Sequence, residues 1–130
     1  MSVFYVDSSA WGKLLVDEDE SAEFENFVDE ALGRGDALVS SELLTAELYR
    51  LAARIGAPAT SVTTLLSILH LSLPTQAVFR SAGLLDGNVR SLDALHVAAA
   101  LDLDADGFIS YDRRQVEAAE AAGLLTSSPR

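Results

Sequence analysis

Val3-Phe4-Tyr5-Val6 is a run of β-branched and aromatic residues that stops at Asp7-Ser8-Ser9. Such side chains suit a pleated surface, whereas Asp and Ser cap helices, so the pattern predicts a strand over 3–6 and a helix over 10–16. Phe24, Phe27, Val28 and Ala31 recur at helical spacing ahead of Gly33 and Gly35, which predicts a second helix over 20–32. A short strand over 37–39 leads to Ser40-Ser41, the cap of a helix whose Leu44, Leu48, Leu51 and Ile55 form one apolar stripe closed by Gly56 and Pro58. Beyond it the pattern gives a helix over 59–69, a strand over 70–73 stopped by Pro74, and helices over 75–85 and 91–101 around the turn Asp86-Gly87-Asn88. A fourth strand over 107–111, a helix over 112–122 and a fifth strand over 123–126 complete the chain, with residues 124–130 read as that strand and a flexible tail. No repeat or linker divides residues 1–130.

Short apolar strands alternating with helices define an α/β class with a parallel sheet covered on both faces. The 130 residues are 49% hydrophobic, enough for one full core and too apolar for disorder. Ligands of such sheets bind outside the carboxyl ends of the strands. The absence of cysteine removes disulfide scaffolds, thiol nucleophiles and thiolate metal sites. No secretory signal or membrane span is read, since residues 55–79, the longest stretch without Asp, Glu, Lys or Arg, contain Pro58, Pro74 and His70. A cytoplasmic protein with no membrane partner is therefore expected.

Four carboxylates stand out. Asp7 and Asp112 each follow a strand, where each could serve as a helix N-cap or at the sheet edge as part of a site. Glu47 lies beside the Leu44 stripe at the border of core and solvent, with Arg50 and Arg54 along the same ridge. Asp93 and His96 are the only polar side chains of residues 92–101, so that helix should be buried, and a carboxylate beside it is costly unless a cation or donors meet it. His96 is read as a hydrogen-bonded core residue that could join the site, and His70 as structural. Together the acids suggest an all-oxygen pocket of three or four carboxylates suited to Mg2+ or Mn2+ and to metal-assisted phosphodiester cleavage.

The segments Tyr5-Val6-Asp7-Ser8-Ser9-Ala10, Ser41–Arg50 with Glu47, Ser91–Ala100 with Asp93, and Phe108-Ile109-Ser110-Tyr111-Asp112-Arg113-Arg114 resemble, in order and spacing over the whole chain, the PIN-domain ribonucleases, specifically the VapC-type toxins of toxin–antitoxin pairs. The resemblance implies a single PIN-like domain with a five-stranded parallel sheet, Mg2+ or Mn2+ dependence and endonucleolytic cleavage of RNA. It implies Asp7 and Asp93 as the principal metal ligands, with Glu47 and Asp112 completing a catalytic acidic cluster. Ser110 stands where relatives often carry Thr. It also implies a VapB-like antitoxin partner and a homodimer, for which Val62, Leu65, Leu66 and Leu69 offer apolar surface.

Two other readings compete. Asp102-Leu103-Asp104-Ala105-Asp106-Gly107 looks like an EF-hand calcium loop, but Arg113 stands where the bidentate Glu belongs and no second loop pairs with it. A non-catalytic interaction domain would use its acidic face to bind a basic peptide. A receiver domain needs a late Lys, and Lys13 is the only lysine. The net charge of −11 opposes a bulk grip on nucleic acid, but residues 17–30 alone hold eight acids and no base. Arg50 and Arg54 after Glu47, and Arg113 and Arg114 after Asp112, could border the pocket, which predicts local, metal-dependent RNA contact and an acidic surface for a basic inhibitor.

Overall fold

In the computed structural model, which describes residues 1–130, the strands are β1 Val3–Val6, β2 Ala37–Ser41, β3 His70–Ser72, β4 Gly107–Ile109 and β5 Thr126–Ser127. The helices are α1 Ser8–Trp11, α2 Ser21–Gly33, α3 Leu43–Ile55, α4 Ala59–Leu66, α5 Gln76–Gly83, α6 Ser91–Asp102 and α7 Arg113–Ala121. All strand pairs are parallel, in the order β3-β2-β1-β4-β5. The first strand is therefore central, with β2 on one side and β4, more than a hundred residues later, on the other. Tyr5 pairs with Val39 and Phe108, and Val6 with Ile109.

Alternation along β1 sends Tyr5 to one face and Val6 to the other. Tyr5, Phe108 and Val39 pack with Ala94, Val97, Ala98, Val78 and Ala119 from α5, α6 and α7. Val6, Ile109 and Leu38 pack with Trp11, Phe24, Leu44, Leu48 and Val62 from α1 to α4. Residues 94–100 of α6 are all buried, as a helix apolar on every side must be. Gly107 opens β4 because a Cβ there would lie 2.9 Å from the Phe4 ring.

Several boundaries differ from the sequence pattern. The first helix begins two residues earlier, at Ser8, because Asp7 is its cap, and it tightens into a 3-10 turn at Gly12–Leu14. The buried ridge of α3 is Leu44, Leu48 and Ala52, an i, i+4 row, while Ile55 is 40% exposed and Leu51 only partly covered. The fifth strand starts three residues later, since Gly123 at φ +95 and Leu124 are used to close α7 through bonds to Glu120 O and Ala119 O. The tail expected to be flexible is tied down: Ser128 Oγ donates to Ser110 O, Tyr111 Oη donates to Pro129 O, and Arg130 faces Glu20. Val62 and Leu69, expected to offer surface to a partner, are already buried in the core, and the exposed apolar side chains are instead Leu73, Phe79 and Leu84. No helix is long and apolar enough to cross a membrane.

Candidate active site

The carboxyl ends of β1 and β4 lie side by side, with Asp7 N–H donating to Ile109 O at 3.1 Å. The Asp7 side chain is buried and caps α1: Oδ1 accepts from Ser9 N at 3.0 Å, Ala10 N at 3.4 Å and Ser9 Oγ at 2.6 Å. Oδ2 accepts from Ser110 Oγ at 2.7 Å. Burial pushes the Asp7 carboxyl above its ordinary range, and the Ser9 and Ser110 hydroxyls oppose that shift by bonding the charged form. Ser110, fully buried, also accepts the Asp112 N–H at 3.1 Å, so one hydroxyl joins two of the four acids.

Asp112 caps α7 by accepting from Arg114 N and Gln115 N through Oδ1. Its Oδ2 lies 3.8 Å from Arg90 Nη2, and Arg90 Nε donates to Asp93 Oδ2 at 3.0 Å. One guanidinium thus spans the carboxylates of Asp112 and Asp93 and is the cation that the buried α6 required. Gln115 Nε2 reaches Asp93 O at 3.2 Å and ties α7 to the start of α6.

Glu47, from the second turn of α3, meets His96 one turn beyond Asp93: Nε2 and Oε1 are 2.6 Å apart. His96 is buried, and its Nδ1 lies 2.6 Å from Tyr5 Oη, which accepts from Ser41 N at 3.1 Å. Burial holds the Tyr5 phenol well above its usual range. Glu47, Arg50, Leu51, Arg54 and Ile55 form a second ridge of α3, and with Ser9, Lys13, Leu92 and Tyr111 they line a cavity of about 830 Å3. Lys13 is engaged there, donating to Asp19 O at 2.7 Å and lying 4.9 Å from the centre of the Tyr111 ring. A smaller cavity of about 500 Å3 is lined by Arg90, Asp93, Arg114 and Glu117.

The four predicted acids therefore fall into two groups, Asp7, Asp112 and Asp93 joined through Ser110 and Arg90, and Glu47 held by His96, and they do not converge. No three His, Asp or Glu side chains gather at a point that could hold a metal. The expected pocket of three or four carboxylates is corrected to that extent, because Asp7 Oδ1 is taken up by its own helix cap, Glu47 Oε1 is held by His96, and Asp93 with Asp112 faces Arg90. The arrangement still fits Mg2+ or Mn2+. Mg2+ takes one or two carboxylates and retains waters, and the donors here are oxygens already organised around a cation. It does not fit calcium in residues 102–107: Asp106 Oδ2 accepts the Val3 N–H at 2.8 Å, and Asp104 is a turn residue at φ +51. Arg50 and Arg54 line the large cavity with Glu47 but without the other three acids, and Arg113 is in an ion pair with Glu117. Arg90, Ser9, Tyr5 and the bonding of His96 were not found from the sequence. The i, i+3 spacing of Arg90 and Asp93, and of Asp93 and His96, was the one signal available for two of them.

The chain is thus a single α/β domain with a five-stranded parallel sheet that carries Asp7, Asp112 and the buried Ser110 at the carboxyl edge of β1 and β4. The chain belongs to the PIN-domain family, whose profile matches residues 4–121, and within it to the VapC type. It is 34% identical to ribonuclease VapC47 of Mycobacterium tuberculosis (strain CDC 1551 / Oshkosh) over 134 aligned residues, covering 98% of this chain and 97% of the relative. It is 33% identical to ribonuclease VapC46 of Mycobacterium tuberculosis (strain ATCC 25618 / H37Rv), covering 99% of each. The fold is shared with Mycobacterium tuberculosis VapC20, a sarcin-ricin loop cleaving toxin, at TM-score 0.72 and 15% identity over 97% of this chain and 99% of that one. It is also shared with a chain of VapBC2 from Rickettsia felis, solved bound to a DNA fragment from their promoter, at TM-score 0.77 and 12% identity over 98% and 99%.

Proposed function

We propose that this chain is the toxin of a toxin–antitoxin pair, an endoribonuclease that hydrolyses RNA phosphodiester bonds with Mg2+ or Mn2+ in the cytoplasm. One observation carries the reading: Asp7, Asp112 and Asp93 are linked through Ser110 and Arg90, with Glu47 on His96 one helical turn beyond Asp93, in a chain similar end to end to named ribonucleases. Asp7 and Asp93 would be the principal metal ligands, with Glu47 and Asp112 secondary. A bound divalent ion supplies Lewis-acid and water-activating chemistry of the kind phosphodiester hydrolysis uses. The chain's own groups do the rest. Ser9 and Ser110 hold the Asp7 carboxylate in one orientation, and Asp112 and Asp93 keep the edge acidic on the β4 side. Arg50 and Arg54 place positive charge along the cavity where a phosphate backbone can lie. The partner would be a VapB-like antitoxin, as the Rickettsia felis pair suggests, and a homodimer would cover exposed apolar side chains such as Leu73, Phe79 and Leu84.

Purified protein should cleave RNA only when Mg2+ or Mn2+ is present, and chelation should stop it. Asp93→Asn should lower cleavage by about 100-fold or more with an unchanged circular dichroism spectrum. Equal cleavage by Asp93→Asn would remove the reading and leave a non-catalytic interaction domain as its successor.

A further inference from the structure

Within the site, Tyr5 and His96 are fully buried and belong to no expected ligand set. They nevertheless form the only wired path from the core to Glu47. An ionised carboxylate can only accept, so His96 Nε2 carries a proton and donates it to Glu47 Oε1 at 2.6 Å. The other ring nitrogen is governed by Tyr5. Tyr5 Oη accepts the Ser41 N–H at 3.1 Å, which leaves its own O–H to donate to His96 Nδ1 at 2.6 Å. The Tyr5 ring is itself fixed by stacking on Phe108, centroids 5.4 Å apart and planes within 4°. The series Ser41 N–H, Tyr5 Oη, His96 and Glu47 therefore runs unbroken from the core to the cavity edge.

Glu47 needs such a brace. It stands on the cavity ridge of α3 with its side chain partly exposed, and a free glutamate there would scatter over several rotamers at a cost in entropy when ordered. A charge-assisted bond to a rigid buried ring fixes one oxygen and leaves Oε2 for the cavity. We propose that Tyr5 and His96 are positioning residues which hold the Glu47 carboxylate in its metal-competent orientation. This deepens the nuclease reading above and rests on it.

The test is Mn2+ affinity, measured by calorimetry on the full chain without RNA, together with the 15N shifts of the His96 ring. His96→Leu should weaken Mn2+ binding by about 10- to 100-fold, the usual effect of losing an outer-shell partner. His96→Gln, whose amide can restore a donor toward Glu47, should recover most of that loss. Tyr5→Phe should weaken binding less than His96→Leu and shift the ring signals from a pure Nε2–H form to a mixture of tautomers. A histidine with a merely structural role would lower the melting temperature and leave the Mn2+ affinity of folded protein unchanged, and that result in His96→Leu overturns the proposal. Should His96→Leu not fold, Tyr5→Phe decides, and wild-type affinity with unshifted ring nitrogens overturns it equally. Asp93→Asn separates the two layers. If it loses Mn2+ while His96→Leu and Tyr5→Phe bind normally, the brace fails and the nuclease reading stands; if Asp93→Asn binds Mn2+ and cleaves as wild type does, both fall.

Discussion

Asp7 is pulled in opposite directions by helix capping and by burial. As the cap of α1 it satisfies two backbone N–H groups, which stabilises the helix start. As a buried carboxylate its charge is costly, and the elevated affinity for a proton records that cost. Asn caps as well as Asp, and its amide can donate to Ser110 Oγ while Ser110 turns its own hydrogen to Ser9 Oγ, 3.2 Å away. Metal-free Asp7→Asn is therefore expected to melt at a higher temperature than the wild type at pH 7, although it no longer cleaves RNA. The pH dependence has a definite sign. With its folded value raised, Asp7 is protonated in both states below the ordinary carboxylate value; the penalty on the wild type grows as pH climbs from that value, where only the unfolded chain ionises, and is complete above the raised value. The gap in melting temperature should thus close on acidification to below the ordinary carboxylate value, and thermal denaturation across that range checks it. Added Mn2+ should raise the wild-type midpoint and leave Asp7→Asn where it was.

Helix α3 divides its labour between two ridges. Leu44, Leu48 and Ala52 face the core, while Glu47, Leu51 and Ile55 face the cavity beside α1, where Leu51 Cδ2 would come within 3.0 Å of a Cβ on Gly12. Leu48→Ala should cost about 2–5 kcal/mol in denaturant titration, whereas Leu51→Ala should cost about 1 kcal/mol. The hydrophobic pattern located this helix but merged the ridges, because Leu48 and Leu51 look alike in sequence and only the neighbour differs. Similar reasoning explains what was legible elsewhere. Strand-then-helix alternation gave the parallel sheet, and the strands before Asp7 and Asp112 put both acids at its carboxyl edge. Arg90 was hidden because its second partner, Asp112, arrives from another element. Tyr5 read as an ordinary strand aromatic, since nothing in 3–6 reveals that its hydroxyl meets a histidine ninety-one residues away. The lateness of β5 followed from a glycine cap that uses two residues the pattern assigned to the strand.

Across the whole molecule, the net charge of −11 is unevenly spread, with eight acids in residues 17–30 and Lys13 drawn toward Asp19 and Glu18. That leaves Arg50 and Arg54 as the principal positive charges lining the large cavity. Replacing both by Ala should weaken RNA binding for all sequences alike and reduce the slope of log affinity against log salt by about 2, roughly one for each lost phosphate contact. Filter binding at several salt concentrations measures it, with an unchanged melting temperature as the control. The order of the sheet has a consequence in time as well as in space. Since β1 lies between β2 and β4, Asp7 is synthesised well before Ser110, which orients it from 103 positions later. Contacts so distant in sequence form late in folding. A chain synthesised only as far as β3 therefore carries Asp7 without the hydroxyl that holds it, and the edge on which Asp7 and Asp112 lie is built only once β4 is in place.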